Sequence, residues 1–179
     1  PGAGKGTQSN FIAKKFNLYQ LSTGEILRKE IKDGTYLGTK ISRIINEGNL
    51  VSDEIVGNLI EKYISKKKYE NKLIFDGYPR NSNQARNLDN LLKKNSQKIN
   101  IALKLSVSLE TVKERIIDRK ILEKRADDTE NIAIKRYETY EKNIKPVIDF
   151  YERSNLLKVV NGEASIEEIS AEISDLIGG

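Results

Sequence analysis

The sequence predicts an α/β fold, a parallel sheet covered by helices on both faces. Three observations carry that expectation. Short apolar runs at 18–21, 72–75, 99–107 and 156–160 alternate with stretches of helical periodicity. A glycine-rich segment, Pro1-Gly2-Ala3-Gly4-Lys5-Gly6-Thr7, leads directly into the first helical stretch. One of the apolar runs ends on Asp76-Gly77, and in parallel sheets ligands collect at the carboxyl ends of the strands.

Taken in order, 6–16 places Phe11, Ile12, Lys15 and Phe16 at helix-like spacing. A short strand at 18–21 follows. Ser22-Thr23-Gly24-Glu25 then offers an N-cap and an acid in the first turn of a second helix. Helical patterns cover 38–47 and 52–65, and Leu73-Ile74-Phe75 makes the next strand. A helix at 82–94 precedes a buried-looking strand at 99–107. Further helices are expected at 109–120 and from Asp128 to about Asn143, with Pro146 interrupting or restarting the latter. A last strand at 156–160 leads to a helix capped by Ser165.

A chain of 179 residues with 37% hydrophobic and 32% charged content can bury a real core and is not disordered. No apolar run is long enough to cross a membrane, and no signal peptide is visible. Cysteine and histidine are both absent. That excludes a disulfide framework, a thiolate metal site and any serine–histidine or cysteine–histidine chemistry. The net charge of +5 favours anionic partners. Lys66-Lys67-Lys68 reads as solvated surface, too short and too poor in aromatic residues for a nucleic-acid footprint.

The first seven residues read as a loop built to cradle phosphate. Glycines let backbone N–H groups converge on anionic oxygens, the helix N-terminus adds positive potential, and Lys5 reaches the terminal phosphates. A frayed, glycine-rich turn is the plain alternative. The general pattern, G-x-x-x-x-G-K-[ST], needs one more glycine before Pro1 and an apolar strand before that. The expectation is therefore that the chain is a piece of a longer one.

Five motifs together resemble the adenylate kinase family of nucleoside monophosphate kinases, across essentially the whole chain. They are PGAGKGTQ from Pro1, LSTGEILR from Leu21, GNLVSDE from Gly48, FDGYPR from Phe75, and RADD from Arg125 with Arg136 eight residues after Asp128. The resemblance implies a three-layer P-loop kinase fold: a central parallel sheet with helices on both faces, plus monophosphate-binding and lid inserts. The core would comprise 1–22, 52–115 and 130–179, the monophosphate lobe 23–51 and the lid 116–129.

It also implies roles. Gly2, Ala3, Gly4, Lys5, Gly6 and Thr7 would hold the ATP phosphates, with Arg115 against the adenine and the backbone near Val159 beside it. Thr23, Gly24, Leu50, Val51, Gly77 and Gln84 would surround AMP, whose phosphate Arg28 and Arg80 would clamp. Arg119, Arg125 and Arg136 would join Lys5 and Arg80 around the transferred group. Asp76 would orient water on a Mg²⁺ ion that arrives with ATP. Plainer readings stand beside these. Arg115 and Arg119 are spaced to form a solvated face with Glu114 and Asp118. Asp127-Asp128 and Thr23 suit helix caps, and Gln84 is an ordinary polar residue early in a helix.

The lid departs from the family. Only Lys120, Ile121, Leu122, Glu123 and Lys124 separate Arg119 from Arg125. Their number fits a short lid and their composition the return strand of a long one, so the lid is either short and atypical or lacks residues of a longer lid, the second being favoured. No lid zinc is supported by the visible sequence. The implied function is reversible phosphoryl transfer from MgATP to AMP giving two ADP, in adenine nucleotide homeostasis. A soluble, cytoplasmic, monomeric enzyme is expected, acting on small nucleotides, with no nucleic-acid or membrane partner. The alternatives are a UMP/CMP-type monophosphate kinase and a non-enzymatic nucleotide- or RNA-binding protein.

Overall fold

The computed structural model describes residues 1–123 and 129–178. Helix α1 (Lys5–Lys15) leads into strand β1 (Tyr19–Ser22) and helices α2 (Thr23–Lys32), α3 (Tyr36–Asn46) and α4 (Asp53–Ile64). A 3₁₀ turn (Lys67–Tyr69) precedes β2 (Leu73–Asp76), then α5 (Ser82–Lys94), β3 (Ala102–Ser106) and α6 (Leu109–Glu123). Helix α7 (Glu130–Arg153), strand β4 (Leu157–Asn161) and helix α8 (Ile166–Gly178) complete the chain.

The strands pair in parallel, as the alternation with helices requires. β1 lies beside β2 with Ser22 opposite Asp76, and β3 lies beside β4 with Leu105 opposite Val160. Among the described residues these are two separate two-stranded sheets, and no strand pairing joins β2 to β3.

Apolar residues on both faces of the strands make three layers. Ile74 of β2, with Leu103 and Leu105 of β3, packs against Ile12 of α1 and Ile169 and Ile173 of α8. Its neighbours Leu73 and Phe75 point the other way, into a larger cluster with Leu21, Leu27, Ile41, Ile60 and Leu88. This is the alternation a strand imposes, and it puts α1 and α8 on one face and α4 and α5 on the other. Caps fit the start signals: Ser22 accepts from the Glu25 N–H, Thr35 from Gly38, Ser52 from Ile55 and Asn81 from Gln84.

Three expectations are corrected. Pro146 lies inside α7, which continues unbroken through it. Ala133, Val147 and Tyr151 are buried on both sides of the proline, so tertiary packing holds the helix across the missing N–H. Ile121-Leu122-Glu123, expected to be a strand, forms the end of α6 instead. The strand expected over 99–107 shortens to Ala102–Ser106, while Ile99 packs into the larger cluster without a strand partner.

At the outer edge of β1, Tyr19 meets Tyr69 with ring centroids 4.2 Å apart and Tyr63 at 5.9 Å. Lys66 and Lys68 lie over the rings of Tyr63 and Tyr69, at 5.0 and 4.6 Å. The exposed lysine run thus covers an aromatic trio on the side of the molecule where β1 begins.

Candidate active site

The glycine loop is bent where only glycine bends easily. Gly2 and Gly4 have φ of 66° and 83°, in the left-handed region. A Cβ at Gly2 would stand 3.0 Å from the Val112 carbonyl oxygen, so the loop lies directly against α6. Gly4 caps α1 without a side-chain hydrogen bond, and no acidic residue stands in the first turn. The N–H groups of that turn therefore face the cleft with the positive end of the helix behind them. Lys5, Gly6 and Thr7 are exposed there. Behind the loop, buried Gln8 donates to the Ile166 carbonyl at 3.1 Å and accepts from the Ser170 hydroxyl at 2.8 Å, fixing α1 to α8.

The second part of the site is the end of β2. Asp76 is 9% exposed, and its Oδ2 accepts from Gln20 Nε2 at 3.1 Å. The same oxygen lies 3.8 Å from where a Cβ on Gly6 would be, which sets the carboxylate beside the phosphate loop. Gly77 turns the chain at φ 73°, ahead of a cis Tyr78–Pro79 bond. A Cβ on Gly77 would come within 3.0 Å of Arg80 Nη2 and 3.3 Å of Thr23 Oγ1. The Thr23 hydroxyl donates to the Gly77 carbonyl at 3.1 Å, and Arg80 Nε donates to the same oxygen at 2.6 Å.

Cations gather here. Arg28 folds back over Gly24, with Nη1 3.2 Å from that glycine's Cβ direction, and Arg136 of α7 passes Gly48. Desolvation lowers the pKa of the Arg80 guanidinium, Arg136 and Arg28 push the same way, and Asp76 opposes them. Guanidinium groups gathered in one cleft can donate together to a single bound anion. On the loop side, Arg115 of α6 donates to the Gly162 carbonyl at 2.9 Å and approaches Gly4.

One cleft joins these parts, with a volume of about 2170 Å³. A single small ligand needs roughly 300–1000 Å³. Part of the space runs between the apolar faces of β2 and β3. The polar part opens at the strand ends, bordered by the loop, Thr23, Gly24, Leu50 and Val51, and by Arg28, Gly77, Arg80, Gln84, Arg115 and Arg136.

Some candidates lie elsewhere. Val159 is 56% exposed in the middle of β4 and does not border the cleft. Ala164 and Ser165 border the cleft further along, and the Gly162 carbonyl holds Arg115. Arg119 is carried on α6, but its side chain, like the whole of Arg125, lies outside the described residues. Gln84 is 2% exposed with both ends of its amide bonded within the protein. Sequence reasoning missed Gln20, Asp53 and Asn81. Gln20 faces Asp76 because it is opposite Ile74 in β1, two positions short of the strand end, a register no single motif records.

Among the described residues no group of three or more acidic side chains could cage a metal. Asp76 alone beside the loop fits Mg²⁺, which keeps several waters and leans on substrate phosphates.

Cations placed this way have a common use, to take up the charge of phosphoryl groups where a loop already presents N–H donors. By class the molecule is a P-loop phosphotransferase. A family model described as adenylate kinase matches residues 1–156. Among curated relatives, an adenylate kinase of Prochlorococcus marinus is 40% identical over 177 residues, covering 99% of this chain and 94% of that protein. Those of Pelagibacter ubique and Fusobacterium nucleatum are 38% and 36% identical over 203 and 200 residues, each covering 99% of this chain and 95% of the relative. The chain belongs to the adenylate kinase family, nucleoside monophosphate kinases that use MgATP. For the same 99% of this chain the Prochlorococcus match spans 177 positions and the Pelagibacter match 203, so the relatives differ in how many residues they carry within the matched span.

Proposed function

We propose that the chain transfers a phosphoryl group reversibly from MgATP to AMP, giving two ADP, and that it does so by positioning and charge neutralisation alone. The observation that supports this most is the crowding of Arg28, Arg80 and Arg136 at the end of β2, across from the Lys5 loop. Direct phosphoryl transfer needs neither imidazole nor thiol, and the chain has no histidine or cysteine.

In this reading the loop N–H groups of Gly2 to Thr7 and Lys5 hold the donor phosphates, and Arg115 lies against the donor base. Arg28 and Arg80 hold the acceptor phosphate with paired N–H donors. Thr23, Gly24, Leu50, Val51 and the Gly77 backbone form the acceptor-base pocket, with Gln84 at its wall. Arg119, Arg125 and Arg136 reach the transferring group on closure. Bound Mg²⁺ supplies further neutralisation of phosphate charge, and Asp76 is the residue to hold its waters. Residues 23–51 close over AMP and 116–129 over ATP, expelling water from the cleft. The enzyme works as a cytoplasmic monomer; no helix among the described residues is long and apolar enough to cross a membrane.

A coupled assay with AMP, CMP, UMP and GMP as acceptors tests the reading. AMP should be strongly preferred. Absence of AMP turnover with strong CMP or UMP turnover overturns it.

A further inference from the structure

The end of β2 is held by a partly buried hydrogen-bond network that no catalytic group in the proposed reaction explains. Its centre is Asp53, the first residue of α4. One carboxylate oxygen, Oδ1, accepts from Asn81 Nδ2 at 2.9 Å and from Gln84 Nε2 at 2.9 Å. Gln84 Oε1 accepts the backbone N–H of Arg80 at 2.7 Å. Asn81 Oδ1 closes the loop by accepting the backbone N–H of Gln84 at 2.8 Å.

We propose that Asp53 is a positioning residue for the acceptor phosphate: it fixes the orientation of Gln84 and through it the backbone of Arg80. The reasoning follows the donors and acceptors. An ionised carboxylate only accepts, so the amide end facing it must be the nitrogen. The amide oxygen is then turned to Arg80, whose N–H it receives. With the acceptor at 53 removed, Gln84 loses the partner that sets its orientation, and a buried amide without a partner reorients or draws in water. Among the described residues Arg80 then keeps its own bond to the Gly77 carbonyl as a fixed point.

Placement adds a second consequence. Asp53 follows directly on Leu50, Val51 and Ser52, where the chain leaves the segment proposed to close over AMP. The network joins the start of α4 to the turn that carries Arg80. Movement of the lobe and seating of the acceptor phosphate therefore share one anchor.

This inference rests on the proposed role of Arg80 at the acceptor phosphate. Its test is a substitution series read as Michaelis constants for each substrate separately. Asp53→Ala removes the acceptor, while Asp53→Asn keeps a carbonyl oxygen in its place. Asp53→Ala should raise the acceptor KM about tenfold or more with the ATP KM unchanged within about twofold. Asp53→Asn should restore most of the acceptor affinity, because the bond to Gln84 needs an oxygen rather than a charge. In a Gln84→Ala background, Asp53→Ala should add little, since both act through one contact. Should the alanine variant not fold, Asp53→Ser, too short to reach Gln84, takes its place. Equal changes in both Michaelis constants, full additivity with Gln84→Ala, or a pure loss of thermal stability would each overturn the proposal. The wild-type acceptor panel separates the two readings. Lack of AMP turnover defeats the function proposed above, and the Asp53 series is then read on whichever monophosphate is accepted.

Discussion

In the proposed reading the two sides of the cleft, the end of β1–β2 and the glycine loop against α6, would hold phosphate in different ways. On the β1–β2 side the groups are side chains locked from behind: Thr23 on Gly77, Arg80 on Gly77 and Gln84, Gln84 on Asp53. They stand on a cluster of twelve buried apolar residues. On the other side the phosphate loop is main chain and exposed side chains, resting on α6, and among the described residues the buried clusters there have four and three members. A side-chain clamp on a thick core can discriminate among ligands in the shape it offers. A main-chain loop reads only the phosphates that all nucleoside triphosphates share.

The largest effect that sharpens this contrast is loss of a clamp cation. Arg80→Ala should lower turnover by about 10²–10³-fold, as removal of one preorganised charge donor typically does. Stability should stay nearly unchanged. Lys5→Ala should be as damaging to rate but should raise the ATP rather than the AMP constant. A steady-state analysis with each substrate varied in turn checks both, and equal effects on the two constants would break the contrast.

Next comes the core. Ile60→Ala, at a position with no exposed surface in the larger cluster, should cost about 2–5 kcal/mol in urea unfolding. It should weaken the acceptor end first, seen as a raised AMP constant at temperatures below the transition.

A smaller effect is expected at the turn. Gly77→Ala forces a Cβ into a left-handed conformation beside Arg80 Nη2, at a cost of about 1–2 kcal/mol. The AMP constant should rise and the ATP constant should not. In the opposite direction, the Tyr78 hydroxyl is buried beside Asn87 but not in good hydrogen-bonding geometry with it. Tyr78→Phe should stabilise the chain by about 1 kcal/mol, a gain of about 2–4 °C in melting temperature by calorimetry.

The smallest effect is at Glu163, on the loop side. The Ser108 N–H, the Ser108 and Thr111 hydroxyls, and to a lesser degree Arg115, hold its carboxyl below the usual carboxylate range. A lowered folded-state value means that its contribution is present above the unfolded value, near 4.3, and fades as pH falls through the folded one. Glu163→Gln should therefore flatten only the acid end of the stability profile, with no change in the shape above pH 5.

How much of this the sequence disclosed depended on whether a feature is local. The loop, the Ser22 cap and the Asp76-Gly77 strand end are short-range patterns, and each is found where the residues place it. The helix through Pro146 was not legible, because burial of Val147 and Tyr151 against distant elements outweighs the local penalty. The end of α6 misled through composition: Ile121-Leu122 suits a strand until the chain before it is already helical. Asp53 was invisible as a partner of Gln84, since a contact 31 residues apart follows no local pattern, whereas the Asn81 cap on Gln84 is a local signal. The backbone near Val159 was expected beside the adenine from a motif offset, and Val159 itself is 56% exposed.

The tyrosines have an optical consequence. The chain has eight of them and no tryptophan, so its near-ultraviolet signal is tyrosine alone. Tyr78, Tyr137, Tyr140 and Tyr151 border the cleft. The Tyr19–Tyr63–Tyr69 trio lies at the other end of β1, where burial beside Tyr69 and Tyr63 pushes the Tyr19 phenol up to about 12. Tyr36 is 88% exposed. The molecule thus carries a reporter set around its ligands and a reference set away from them, and emission can follow cleft closure without any attached dye.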